Sequence, residues 1–339
     1  MNICVVGYGM MGGWHSDALA GGAARLHTLV GRRPEATVAF AHRYGYARWT
    51  TQLEEALADP AVDAVILANP SEQHAETALA SLAHGKPTLV EIPLAMSLAD
   101  ADLIVAAARE RNLTLGVVHP LRLRPELIAL RERVAQGQEH IRHVGGRFFV
   151  HRLKNIGATG YQRSWTDNLL WHHTTHLLDA GLWLLGEPVR AVHSFMPPPD
   201  ARTGIPMEAC LTIETTRDQS LVCTGSYYGH ERLMELFVVT DSESYRLDVF
   251  RSTLTTGAAA AQAAAAEKEI CLRVTRDFVT AVREGRPPAV PGDSVLPAMR
   301  VLQQAQDQWD AVHGARSIPG REQPNLAGGA AAPAEARGG

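Results

Sequence analysis

Cysteine is scarce in this chain: four in 339 residues, Cys4, Cys210, Cys223 and Cys271, none at C-x-x-C spacing. That excludes a disulfide framework and a compact zinc module. Positive charge is not in excess either. A formal net charge of −4 gives no basic field for nucleic acid, and no nucleic-acid partner is expected. No apolar run approaches the roughly 20 residues that cross a bilayer, so no membrane partner is expected. The first strand-like run starts at residue 2, which leaves no space for a leader peptide and predicts a cytoplasmic protein. What remains is a chain with ordinary apolar and charged content, long enough for two domains.

The run Ile3-Cys4-Val5-Val6 closes directly on Gly7-Tyr8-Gly9-Met10-Met11-Gly12. A buried strand, a glycine turn and a helix form the context in which G-x-G-x-x-G binds a dinucleotide. Gly7 permits the tight turn, Gly9 lets the backbone approach a pyrophosphate, and Gly12 lets the helix pack on the strand. The phosphates then meet the N–H groups at the start of that helix.

Short β-rich runs at 25–30, 63–68, 87–91 and 114–118 alternate with helical patterns at 34–44, 72–84 and 97–111. Such alternation predicts a parallel sheet covered on both faces. Ser97 with Asp100 three residues on reads as a helix N-cap and an acidic first turn. Beyond His119-Pro120 the pattern changes. A helix (126–136), a strand (144–151), a polar loop and one helical run (170–185) precede strands at 191–195, 209–216, 220–228, 234–240 and 244–250. Two helices, 267–284 and 294–313, follow an alanine-rich stretch (258–266) that suits either a helix or a connector. The fold class predicted is α/β: a Rossmann domain over 1–120, then an α+β domain over 121–318 with an open, mostly antiparallel sheet. The Gly/Ala/Pro-rich residues 319–339 are expected to be a disordered tail.

An NAD site of this type carries an acidic residue after the second strand, bonded to the ribose hydroxyl. Here that position reads Leu29-Val30-Gly31-Arg32-Arg33, with no carboxylate. Two guanidinium groups suit a 2′-phosphate. NADP is the expected cofactor, with NAD possible.

His15 extends the glycine motif to G-x-G-x-x-G-x-x-H. With Asn69-Pro70-Ser71-Glu72-Gln73-His74, His84-Gly85-Lys86-Pro87, Glu91-Ile92-Pro93, Arg122-x-x-Pro125 and His176-Leu177-Leu178-Asp179, the chain resembles the glucose–fructose oxidoreductase/inositol dehydrogenase family over its whole length. The resemblance implies an NAD(P)-dependent dehydrogenase whose cofactor also meets Asn69, Pro70, His74, Glu91 and Pro93. It further implies a homodimer or homotetramer joined through the C-terminal sheet. Two positions depart from the family. It usually reads Glu-Lys-Pro where this chain has Ile92, and it usually has an aspartate where this chain has His172. The segment Trp165 to His173 is thus unusual, and it is similar to a branch acting on a cyclic hemiacetal that carries two carboxylates. A hemiacetal hydroxyl is more acidic than a sugar alcohol, which lessens the need for a lysine. An amine near an aldehyde also invites a Schiff base, and Ile92 avoids it.

Removing a hydride from carbon requires a base for the hydroxyl proton, and histidine titrates in the right range. His172 and His176 are i and i+4, so a regular helix puts both on one face, with His173 turned elsewhere. His176 occupies the position of the family's base. His172 is then the orienter or alternative base, and Asp179 either orients His176 or begins the outer face. His-x-x-x-His could also ligate zinc, but no third ligand follows at a recognisable spacing, and no metal is expected. The dicarboxylate is expected to meet some of Arg122, Arg124, Arg152, Lys154 and Arg163, with Tyr161, Trp165 and His173 beside them; Arg122 is favoured. A sugar or polyol dehydrogenase and a non-catalytic NADP sensor are the alternatives.

Overall fold

The computed structural model describes residues 1–314 except 23, 158, 159, 161, 162 and 167. The expected tail and Tyr161 therefore lie outside the described residues. Strands β1 (Asn2–Val6), β2 (Arg25–Val30), β3 (Arg48–Thr50), β4 (Ala64–Leu67), β5 (Thr88–Val90) and β6 (Leu115–Val117) form one sheet. Helices α1 (Met10–Leu19), α2 (Pro34–Tyr44), α3 (Leu53–Ala58), α4 (His74–Ala83) and α5 (Leu98–Glu110) connect them. The sheet is wholly parallel in the order β3-β2-β1-β4-β5-β6. Every residue of β4 is buried, as a strand covered on both faces must be. The order reverses between β1 and β4, which opens a crevice at their carboxyl ends, where Gly7 and Asn69 lie. Ser97 caps α5, its hydroxyl accepting from the Asp100 amide at 3.2 Å. The edge strand β3 and the short α3 have no sequence counterpart above; three and six residues are too few to display a period.

Helix α6 (Pro125–Ala135) leads into β7 (Ile141–His151), α7 (Thr175–Leu185), β8 (Val189–Phe195), β9 (Glu208–Thr215) and β10 (Ser220–Ser226). Then come β11 (Tyr228–Thr240), β12 (Ser244–Asp248), β13 (Thr253–Thr256) and β14 (Gln262–Ala263). The eight strands order as β14-β13-β12-β11-β7-β10-β9-β8, antiparallel except for the pair β7–β10. The alanine-rich stretch thus contains the last, two-residue strand. On β10 burial alternates strictly. α7 lies close on that face, since a Cβ on Gly181 would come 2.6 Å from Leu221.

The last two helices, α8 (Glu267–Glu284) and α9 (Leu296–His313), return to the first sheet. α8 packs on α1: Thr275 Oγ1 is 2.7 Å from His15 Nδ1, and Arg276 Nε donates to the Ala18 carbonyl at 3.1 Å. From α9, Gln303 accepts from the Leu98 amide at the start of α5, and Gln306 accepts from Trp171 Nε1 at 3.0 Å. Both sheets are therefore fixed to the same pair of helices. Among the described residues no helix is long and apolar enough to cross a membrane.

Candidate active site

A cavity of about 1030 Å³ runs from the carboxyl ends of β1 and β4 to the second sheet. At its first end Gly7 has φ +111°, and a Cβ there would lie 2.3 Å from the Ala68 carbonyl oxygen. A Cβ on Gly12 would lie 2.2 Å from the Gly7 carbonyl oxygen, so α1 meets β1 more closely than any side chain allows. Gly9 differs: a Cβ there would meet nothing within 4 Å, so its backbone faces open space. Gly9 is also the N-cap of α1, and no side chain caps the helix. An open, glycine-lined helix start fits a pyrophosphate. Tyr8, Gly9, Met10 and Met11 line the cavity with Gly7, whereas Gly12 serves the packing.

Arg32 and Arg33 follow β2 and line the same cavity, and Arg33 Nε donates to the Tyr8 hydroxyl at 3.3 Å. Asn69, Pro70, His74 and Glu91 also line it. His74 is 1% exposed, with its ring nitrogens 2.7 Å from the Pro93 carbonyl and 3.1 Å from the Asn69 carbonyl. It thereby ties the loops after β4 and β5 together. Pro93 itself is buried and does not reach the cavity; Ile92 does. Glu91 is held by His15 at 2.9 Å, which links the cavity to α1 and, through Thr275, to α8.

Three histidines form the middle of the wall. The predicted regular helix over 170–185 is in fact a π-helical turn, Leu170–Thr174, followed by α7. The Thr174 amide bonds back five residues to the Leu169 carbonyl at 2.9 Å. The wider turn changes the helical phase, so His173 is not turned elsewhere: His172, His173 and His176 all line the cavity. Such turns are frequent at functional sites. His173 stacks on Phe148 at 4.1 Å, and its Nδ1 is 2.8 Å from the Tyr227 hydroxyl. Burial, and then the neighbouring His119 and His172, holds His176 well below the usual imidazole range. Burial does the same for His173. His176 is consequently a neutral imidazole at pH 7, able to accept a proton.

Behind His176 stands His119, 3% exposed, its ring edge-on to His176 at 6.2 Å between centres. Burial lowers its pKa to about 4, against the opposing pull of Asp179. His119 Nδ1 lies 3.1 Å from Asp179 Oδ2 without hydrogen-bond alignment. No role was read for His119 in the sequence, although it follows the last strand of a doubly wound sheet, where ligand sites gather.

Asp179 and Arg122 require correction. Asp179 is 1% exposed and neither begins an outer face nor lines the cavity. Its carboxylate accepts two bonds from Arg122, Nε at 2.8 Å and Nη2 at 2.5 Å. Arg122 also donates to the hydroxyl and the carbonyl of Ser294, each at 2.9 Å. The guanidinium is spent on a buried pair joining the β6 exit, α7 and the approach to α9, and it does not line the cavity. Lys154 is exposed and also lies off the wall, as does Trp165, which sits against Tyr227 at 5.9 Å beneath Arg152.

Arg124, Arg152 and Arg163 do line the cavity. Arg152 donates to Asn155 and lies over the Trp165 and Tyr227 rings. Arg124 is 1% exposed; its Nη1 is held by Glu126 at 3.0 Å and the Ala265 carbonyl at 2.9 Å. Its Nε and Nη2 are buried and have no hydrogen-bond partner among the described residues. Counting Arg32, Arg33 and Arg232, six arginines line the cavity against three glutamates, Glu72, Glu91 and Glu267. The surplus suits an anionic ligand.

The neutral histidines also predict how stability follows pH. In the unfolded chain His119, His173 and His176 titrate near 6.5, whereas folding holds them neutral to lower pH. The unfolded state therefore binds more protons below 6.5, and stability present above that pH is lost as pH falls toward the folded values. His119 alone accounts for about 3 kcal/mol of loss by pH 4. Urea unfolding at pH 7.5 and 5.5 should show a lower midpoint at 5.5, and equal midpoints would contradict the neutral cluster.

Known proteins share this architecture. The profile described as "Oxidoreductase family, NAD-binding Rossmann fold" matches residues 1–119, and "Bacterial oxidoreductases, C-terminal" matches residues 125–260. A 4-carboxy-2-hydroxymuconate-6-semialdehyde dehydrogenase from a Sphingobium species is 32% identical over 316 residues, covering 91% of this chain and 99% of that protein. An inositol 2-dehydrogenase from Streptomyces avermitilis is 26% identical, covering 91% and 93% of the two chains. Among solved structures, a levoglucosan dehydrogenase in complex with NADH and levoglucosan superposes with a TM-score of 0.80 at 18% identity, covering 92% of this chain and 97% of that one. The chain belongs to the glucose–fructose oxidoreductase/inositol dehydrogenase family and is an NAD(P)-dependent dehydrogenase.

Proposed function

We propose that this enzyme oxidises the cyclic hemiacetal of 4-carboxy-2-hydroxymuconate-6-semialdehyde to the lactone 2-pyrone-4,6-dicarboxylate, with NADP preferred over NAD. The observation that carries the reading is the cavity wall itself, which is lined by a neutral histidine, Ile92, arginines and aromatic rings. A dinucleotide held by the Gly7–Met11 turn and the Arg32–Arg33 pair would supply the acceptor for the hydride of the hemiacetal carbon. His176 takes the hydroxyl proton as that hydride leaves, and His172, in the same wall, orients the hydroxyl or shares the base's role. Arg124, Arg152 and Arg163 line the same wall and supply the positive charge that the two ring carboxylates require. His173, fixed by Phe148 and Tyr227, supplies a flat surface for the ring.

A polyol reading is supported by the inositol and levoglucosan relatives, but Ile92 offers no cation to a sugar hydroxyl and an arginine-lined wall has no use for a neutral ligand. A sensor would need no buried base. Freshly generated ring-cleavage semialdehyde and a panel of polyols, each followed by NADPH formation, test the choice. Turnover of polyols with none of the semialdehyde would overturn the reading.

NADP preference rests on Arg32 and Arg33. Replacing both with neutral residues should raise the KM for NADP by about tenfold or more, since each charge-assisted bond contributes about 1.5–3 kcal/mol. The KM for NAD should change little. Equal losses for both cofactors would remove the two arginines from the phosphate site.

A further inference from the structure

Strand β11 enters the second sheet irregularly. Its pairing with β7 jumps from Tyr228 opposite His151 to Leu233 opposite Phe149. The extra residues form a bulge, a device that re-aims side chains. Here it delivers His230 and Arg232 to the cavity along with Met234, while Leu233 between them is buried in the core.

Arg232 lies over an aromatic ring, its guanidinium carbon 4.1 Å from the centre of Phe250. Phe250 meets Phe148 edge-on at 6.0 Å, and Phe148 stacks on His173. An aromatic wall therefore runs without a break from the histidine cluster to Arg232. The ring face holds the cation in place and leaves guanidinium N–H donors for a planar anion. Among the described residues Arg232 has no ion-pair partner. Glu267, the acid on this stretch of wall, feels both Arg232 and Arg124, and burial pushes its carboxyl upward.

We infer that Arg232 is a specificity-determining residue: it holds the carboxylate farther from the reacting carbon while the ring lies along the Phe148–Phe250 wall. The inference rests on the dicarboxylate reading for the identity of the substrate. The ligand chemistry that it names, a planar ring with two carboxylates, can be measured without turnover.

Isophthalate and benzoate serve as probes, titrated calorimetrically into the NADP-loaded enzyme alongside KM measurements with the hemiacetal. Wild type should prefer isophthalate by about tenfold or more, the contribution of one charge-assisted pair. Arg232→Met should bring the two probes within about threefold and raise the hemiacetal KM by a similar factor, with NADP affinity as a control for folding. Arg232→Lys should fall between, because a point charge does not reproduce the fork. If Arg232→Met keeps the wild-type preference, the assignment is overturned even where the hemiacetal is still oxidised. If wild type leaves the hemiacetal untouched yet shows an Arg232-dependent preference, the subsite stands and the substrate reading falls. No preference in wild type overturns the subsite, whether or not the hemiacetal is oxidised.

Discussion

Replacing His176 with alanine is expected to lower kcat by about 10²–10⁴-fold, the usual contribution of a general base, while NADP affinity stays near wild type. The expectation follows from where the ring sits. His176 lines the cavity, and burial with two neighbouring histidines keeps it neutral. A neutral imidazole can take the hydroxyl proton in the step that releases the hydride. The acid limb of kcat/KM in the wild-type enzyme should accordingly fall well below pH 6.5 and vanish in the variant. If kcat stays within a few-fold, the base is His172 or a water. His172→Ala and the double variant then separate these, because loss through water survives both substitutions.

Arg122→Met should act on stability before it acts on substrate. Arg122 and Asp179 are 7% and 1% exposed and bonded in bidentate fashion. Removing the cation leaves a buried carboxylate beside His119, and breaking such a pair costs about 3–5 kcal/mol. The melting temperature should fall by about 4–7 °C. Joint replacement of Arg122 and Asp179 by apolar residues should recover much of that loss, because no charge is then stranded. A variant that melts like wild type but loses only substrate affinity would return Arg122 to the substrate site, where its position after the last Rossmann strand had suggested it.

Arg122 also illustrates what local sequence cannot carry. Its place at the domain junction is legible, but its partner lies 57 residues away, and nothing near position 122 announces it. The π-helical turn is a second case. Leu170–Thr174 reads as ordinary helix, since a single bond reaching back five residues instead of four leaves the apolar pattern almost unchanged. Its consequence for His173 is nevertheless large. Arg232 is a third: a period of two puts it on the face of Met234, but only the fold brings that face to the cavity beside Phe250.

By itself the sequence determined the dinucleotide crevice, the alternation of helices with the strands of a parallel sheet, and the long helix at 267–284. These depend on backbone preference and short-range period: a glycine at positive φ, a buried strand, a helical stripe. The tertiary structure alone decided which charged groups are spent on one another and which reach the cavity. Burial makes that choice. Inside the protein an arginine must satisfy its donors with whatever the fold brings within about 3 Å, so Arg122 is committed to Asp179, Arg124 keeps an unpaired edge, and Arg232 is raised on a ring at the cavity wall.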